Sequence, residues 1–271
     1  MISAKKENPI GIFDSGIGGL TIANAIKKVL PNENIIYFGD TEHLPYGEKS
    51  NEAIKKFSNK IIDFLIAKKC KIIIIACNSA ASVTEKELIK YENIIPIYNV
   101  IDPVVQVIID KYQNSKIGVI GTKATIGTNI YAKKIHELCG NIDVCCLATP
   151  LLAPMIEEGF ISEDISQTII SNYLSHHKLK KINHLVLACT HYPLIEKEIS
   201  NYFNKKVNII DSSKITANYI SHEITAKNLL NKASQKKHHF YVSNYTQSFE
   251  NSAKFFFEKA VKLEEVKLFN H

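Results

Sequence analysis

Apolar residues fall into two kinds of stretch that alternate along this chain. Short runs, apolar at nearly every position, occur at residues 10–13, 35–38 and 72–76. Between them lie longer segments with apolar residues at helical spacing: Ile22, Ile26, Val29 and Leu30 in one, Ile54, Phe57, Ile61, Phe64 and Leu65 in the next. A run without polar alternation predicts a strand buried on both faces, and a 3.6-residue period predicts an amphipathic helix. Pro31-Asn32 ends the first helix, and Ser50 is placed to cap the second, which the pattern carries to about Lys69. Strands alternating with helices imply right-handed βαβ units and a parallel sheet.

The pattern then repeats. Residues 10–15 resemble 117–122, residues 68–77 resemble 180–189, and residues 96–102 resemble 205–211, at offsets of 107, 112 and 109. Three matches in one order at nearly one offset indicate an internal duplication. The helical segment before the second match recurs as well, with Ser162 as its expected N-cap ahead of Ile165, Ile169, Tyr173 and Leu174. The expected fold class is α/β: two similar parallel-sheet domains related by pseudo-twofold symmetry, with the active site in the cleft between them. The expected division is residues 1–102 plus 214–271 as the first domain and 103–213 as the second. Residues 214–271 form a returning tail of helical pattern that packs back on one half.

Both halves end a buried strand in Ala-Cys: Ala76-Cys77 before Asn78-Ser79, and Ala188-Cys189 before Thr190-His191. Ligands of open parallel sheets bind beyond the carboxyl ends of the strands. Each cysteine precedes a helical pattern, and a helix N-terminus favours the thiolate, so both thiols are expected to shift toward use as bases. If the halves face each other, the two thiols oppose one another across the cleft. Two equivalent acid–base groups on opposite sides of one ligand suit the inversion of a carbon centre. One removes the α-proton from one face while the other delivers a proton to the opposite face.

Composition narrows the ligand chemistry. The chain has 271 residues and a net charge of +6, yet all 33 basic residues are Lys; Arg and Trp are absent. Without Arg forks, an anion must be held by Lys, hydroxyls, amides or backbone N–H groups. Ser15, Asn78, Ser79, Thr122 and Thr190 supply hydroxyls and an amide for that purpose. Scattered lysines read as a solvated surface rather than a nucleic-acid footprint. The longest apolar run, residues 72–77, is too short to span a bilayer, and the N-terminus lacks the apolar core of a secretory signal. A cytoplasmic protein with no membrane partner is expected. The six cysteines are expected as reduced thiols; no CxxC pair occurs, and no second ligand pair accompanies Cys189 and His191, so no metal is expected.

Four motifs in order carry a resemblance: Asp14-Ser15-Gly16, Pro45-Tyr46-Gly47, Ala76-Cys77-Asn78-Ser79 and Ala188-Cys189-Thr190-His191-Tyr192-Pro193. Together they resemble the glutamate racemases of the aspartate/glutamate racemase superfamily, over about residues 9–213. The resemblance implies cofactor-independent interconversion of L- and D-glutamate, supplying D-glutamate for peptidoglycan, by a cytoplasmic homodimer. It implies Cys77 and Cys189 as the two acid–bases and Glu157 as an assisting residue, with Glu158 adjoining it and competing for that role; read from the residues themselves, Asp14 can receive the ammonium group or tune a nearby thiol, and His191 can assist Cys189. It implies substrate binding by Asp14, Ser15, Tyr46, Gly47, Asn78, Ser79, Thr190 and His191, to which the hydroxyl reading adds Thr122. Ser79 stands where the family more often has Thr, and the hydroxyl is kept.

Other readings fit less of the chain. Gly16-Ile17-Gly18-Gly19 opens a helix after a strand, with Asp40 beyond, as in dinucleotide-binding folds, but the third glycine position is Thr21. A thiol hydrolase elbow needs small residues where Leu187 and His191 flank Cys189. An aspartate racemase and a non-catalytic two-lobed amino-acid binding protein remain alternatives of the same architecture.

Overall fold

The computed structural model describes residues 5–161, 164–232, 237–257 and 263–269. The first half runs β1 (Ile10–Asp14), α1 (Leu20–Val29), β2 (Ile35–Gly39), α2 (Asn51–Ala67), β3 (Ile72–Ile75), α3 (Asn78–Thr84) and β4 (Ile97–Asn99). The second runs α4 (Asp102–Lys111), β5 (Lys116–Gly121), α5 (Lys123–Gly127), α6 (Ile130–Leu138), β6 (Asp143–Ala148), α7 (Leu152–Glu157), α8 (Asp164–Leu174), β7 (His184–Ala188), α9 (Glu196–Tyr202) and β8 (Asn208–Ile210). The tail adds α10 (Ser212–Ala226), β9 (His238–Val242), α11 (Gln247–Phe257) and β10 (Leu263–Glu265).

The strands form two sheets in which every pairing is parallel: β10-β9-β2-β1-β3-β4 and β6-β5-β7-β8. The segment β2-β1-β3-β4 and the whole second sheet share one order relative to the chain, which is the duplication expressed as topology. Strands β1, β2 and β3 are buried at every position, as continuous apolar runs require when helices cover both faces. Ser50 caps α2 by accepting the Ala53 N–H at 3.2 Å. Ser162, the expected cap of α8, lies outside the described residues.

The tail corrects one expectation. It carries two strands among its helices, and both extend the first sheet beyond β2. In β9 only Phe240, Tyr241 and Val242 are buried, after His238 and His239, and this is too short an apolar signal to read as a strand. The ladder offered by the edge of β2 decides its conformation. Helix α10 packs against α1 and α4. Among the described residues, no helix is long and apolar enough to cross a membrane.

Candidate active site

The carboxyl ends of β1, β3, β5 and β7 converge on one cavity of about 250 Å³. Of the twelve site residues expected from the sequence, eleven line it: Ser15, Tyr46, Gly47, Cys77, Asn78, Ser79, Thr122, Glu157, Cys189, Thr190 and His191. The twelfth, Asp14, ends β1 beneath the cavity, fully buried, and does not line it. Its Oδ1 accepts the Gly16 N–H at 2.9 Å and its Oδ2 the Thr190 hydroxyl at 3.1 Å. Burial raises its pKa, against the pull of the nearby His191.

Cys77 follows β3 and sits as N-cap of α3. Its thiol donates to Ser15 Oγ at 3.8 Å. Burial pushes the thiol up to about 12, and the Asp14 charge adds to this; the Ala80 N–H and Ser15 pull weakly the other way. The expected shift toward a base is therefore reversed at Cys77. Losing water costs a thiolate more than one helical N–H returns.

Cys189 has different surroundings, and its helix follows only after a turn. A 3₁₀ turn (Tyr192–Ile195) intervenes, and α9 starts only at Glu196. Instead, Cys189 Sγ lies 3.6 Å from His191 Nδ1, and His191 Nε2 lies 2.5 Å from Glu157 Oε1. Burial alone would lower the imidazole pKa, but hydrogen bonds and charge from Cys189 and Glu157 raise it well above the usual histidine value. Glu158 also lines the cavity, but it is Glu157 that reaches His191.

The glycines of the loop after β1 stand where a side chain has no room, Gly18 against the second half and Gly19 against the first. A Cβ on Gly18 would sit 2.4 Å from Thr190 Oγ1 and 2.6 Å from His191 Nδ1; one on Gly19 would sit 2.4 Å from Asp14 Cβ. Thr21 Oγ1 donates to the Thr190 carbonyl at 3.0 Å, closing the same seam. The glycines that suggested a nucleotide loop thus have a packing reason.

Part of the remaining lining is neutral and polar. Ser79 and Thr122 share a hydrogen bond at 2.8 Å, and Thr122 also caps α5 by accepting the Thr125 N–H at 3.2 Å. Gly47 packs against Thr122, where a Cβ would come within 2.7 Å of its Cβ. Asn78 accepts from the Tyr131 hydroxyl at 2.7 Å, while its Nδ2 is buried with no hydrogen-bond partner. An orphaned amide donor at a cavity wall is an acceptor site for a ligand. Among the described residues no Lys lines the cavity, so an anion there is left with hydroxyls, amides and His191 as donors, beside the carboxyls of Glu157 and Glu158.

Sequence reasoning missed the supports. Tyr131 fixes Asn78 from 53 residues away, and Tyr37 holds the Gly16 carbonyl at 2.7 Å. Nothing in local spacing marks either. Leu44, Ala153 and Pro154 also line the cavity. Cys70, Cys139, Cys145 and Cys146 do not.

Comparison with known proteins gives one answer. A family model described as Asp/Glu/hydantoin racemase matches residues 20–220. A glutamate racemase of Chlorobaculum tepidum is 38% identical over 251 residues, covering 92% of each chain. One of Streptococcus pneumoniae serotype 19F is 38% identical over 267 residues, covering 96% of this chain and 98% of its own. The crystal structure of glutamate racemase from Francisella tularensis in complex with D-glutamate superposes with a TM-score of 0.90 at 38% identity, covering 97% of this chain and 98% of that one.

Proposed function

The chain belongs to the Asp/Glu/hydantoin racemase family and is an amino-acid racemase; from that premise we propose that it interconverts L- and D-glutamate by a two-cysteine mechanism that needs no cofactor. The observation that carries this reading is the position of Cys77 and Cys189, which follow corresponding strands of the two sheets and line one cavity.

In this reading the α-carbon of glutamate sits between the two sulfurs. Starting from the L enantiomer, the Cys189 thiolate, paired with protonated His191, removes the α-proton and becomes the thiol. The neutral Cys77 thiol gives its proton to the opposite face, leaving D-glutamate and a Cys77 thiolate. The reverse direction exchanges the roles. The raised pKa of Cys77 supports its part as the acid in this direction, and the placement of His191 between Cys189 and Glu157 supports its part as the partner of Cys189. Asn78 Nδ2, Ser15, Ser79, Thr122 and Thr190 receive the carboxylates, and Tyr46 and Gly47 form the wall over them. Asp14 acts from beneath, on Thr190 and on the Cys77 thiol.

The same reading takes residues 1–102 with 214–271 as one lobe and 103–213 as the other, supported by which strands each sheet contains. It takes the enzyme as a cytoplasmic homodimer supplying D-glutamate for peptidoglycan, on the strength of the resemblance.

The deciding experiment incubates dialysed protein with L-glutamate in heavy water and follows circular dichroism, with L-aspartate run in parallel. Decay of the signal with deuterium entering the α-position is expected for glutamate. Cys77→Ala and Cys189→Ala should each abolish it. Full racemisation by either variant would falsify the two-base scheme.

A further inference from the structure

The loop that carries Tyr46 into the cavity is held by the tail as well as by its own half. Asp40 opens this loop and is fully buried. Its carboxylate takes three donors: Tyr46 OH at 2.5 Å, His43 Nδ1 at 2.8 Å and Ser243 Oγ at 2.7 Å. Ser243 follows β9 and is also fully buried. Its hydroxyl works in both directions, donating to Asp40 and accepting the Glu42 N–H at 2.9 Å. Its own N–H donates to the Gly39 carbonyl at 3.1 Å. Beside it, the Thr41 hydroxyl donates to the Asn244 carbonyl and accepts the Asn244 N–H at 3.0 Å. Farther along the tail, Phe269 meets the edge of His43 at a centroid distance of 4.4 Å, and His43 stacks on Phe57 at 4.0 Å.

At its other end the loop bears on the second half. Gly47 packs on Thr122, and Glu48 pairs with Lys123 at 3.0 Å. Tyr46 is thus fixed between a rigid anchor and the opposite wall. A tyrosine hydroxyl bound to a carboxylate keeps its ring orientation only while that carboxylate keeps its own partners. Removing one donor leaves a buried acceptor underpaired, and the loop answers by shifting.

We propose that Ser243 is a positioning residue for the substrate cavity, acting through Asp40 to set Tyr46, with Phe269 holding His43 in the same hub. The tail is then part of the binding machinery although none of its described residues lines the cavity. The substrate named in the test rests on the glutamate reading above, whereas the positioning claim does not.

The test compares wild type, Ser243→Ala, Phe269→Leu and Tyr46→Phe in the full-length protein. Hydrogen exchange is followed in residues 41–49 and in β3, and KM and kcat are measured for L-glutamate. The expected result for Ser243→Ala is faster exchange confined to 41–49, a KM raised about tenfold and a kcat within about threefold of wild type. In the Tyr46→Phe background the same substitution should add far less to KM, because the link it acts through is already cut. Unchanged exchange in 41–49 overturns the proposal. So does acceleration shared by β3 with a matching fall in Tm, which marks general destabilisation, or full additivity with Tyr46→Phe. If wild type leaves glutamate unchanged while Ser243→Ala still loosens 41–49 alone, the substrate reading fails and the positioning claim stands.

Discussion

Glu157 Oε1 meets His191 Nε2 at 2.5 Å, on the side of the ring away from the Cys189 sulfur. The contact ties α7 to the turn that follows β7 and keeps the imidazole charged beside the thiol. Glu157→Gln keeps the shape and removes the charge. We expect kcat/KM to fall about ten- to hundredfold. It must fall equally in both directions, since enantiomers have the same free energy, but the α-deuterium isotope effect should change unequally for L- and D-glutamate. Stability has a definite sign as well. A histidine held above its ordinary value of about 6.5 contributes stability that is present below that pH and lost as the pH rises through the raised value. Wild type should lose this contribution on the alkaline side, and Glu157→Gln should forfeit it near neutral pH. Tm measured against pH distinguishes the two curves.

Cys77, pushed up to about 12 by burial and by Asp14, should be poorly nucleophilic in the free enzyme. At pH 8 the thiolate is about one part in ten thousand, against about a quarter for an unperturbed thiol. Iodoacetamide should therefore label Cys77 far more slowly than a model thiol. Asp14→Asn removes the second cause and should speed labelling at Cys77. Mass spectrometry of the labelled peptide reads both. Cys70, also raised to about 12 by burial, acts in the same sense on stability: both groups stabilise the fold below about pH 8.5, and this is lost as the pH climbs toward 12.

Asn78→Asp keeps the acceptor for Tyr131 and replaces the unpartnered amide donor with an acceptor. If Nδ2 receives a carboxylate, the ionised variant repels it. KM for glutamate should rise about a hundredfold or more, with Tm little changed. Isothermal titration with D-glutamate measures the loss without turnover.

Gly18→Ala drives a Cβ into Thr190 and His191, whereas Gly127→Ala meets nothing within 4 Å. The first should cost about 1–3 kcal/mol and most of the activity, because relief of the clash moves His191. The second, inside α5, should be neutral or slightly stabilising. Denaturant unfolding of the two variants provides the comparison.

Lys71 is fully buried, with its ammonium on Glu33 at 2.5 Å and on the carbonyls of Lys6 and Leu229, both at 2.7 Å. Glu33 in turn accepts the Asn231 N–H at 2.8 Å. This clamp joins three distant segments at the amino end of the first sheet, far from the thiols in function. Lys71→Met strands a buried carboxylate and should cost about 3–5 kcal/mol while leaving kcat/KM of the folded fraction unchanged; Lys71→Met with Glu33→Leu should recover much of the loss.

The chain alone determined the strands that matter. Apolar runs ending in Asp14, Cys77 and Cys189 mark buried parallel strands, because a strand covered on both faces must be apolar throughout, and the repeat of these runs revealed the two sheets. The motifs at their carboxyl ends identified seven of the residues that line the cavity, Ser15, Cys77, Asn78, Ser79, Cys189, Thr190 and His191; Thr122 ends the repeat of the first run, and Tyr46, Gly47 and Glu157 rested on the family resemblance. What local pattern cannot encode is solvation and partnership across long separations. The acidity of Cys77 depends on how completely the folded protein excludes water. The choice of Glu157 over its neighbour depends on a contact across 34 residues. The anchoring of Asp40 by Ser243 spans 203 residues, and β9 is a strand only because β2 offers it an edge. Burial and hydrogen-bond partners are properties of assembled surfaces, so only the tertiary structure decided how far Cys77 is shut off from water and what holds Tyr46 in place.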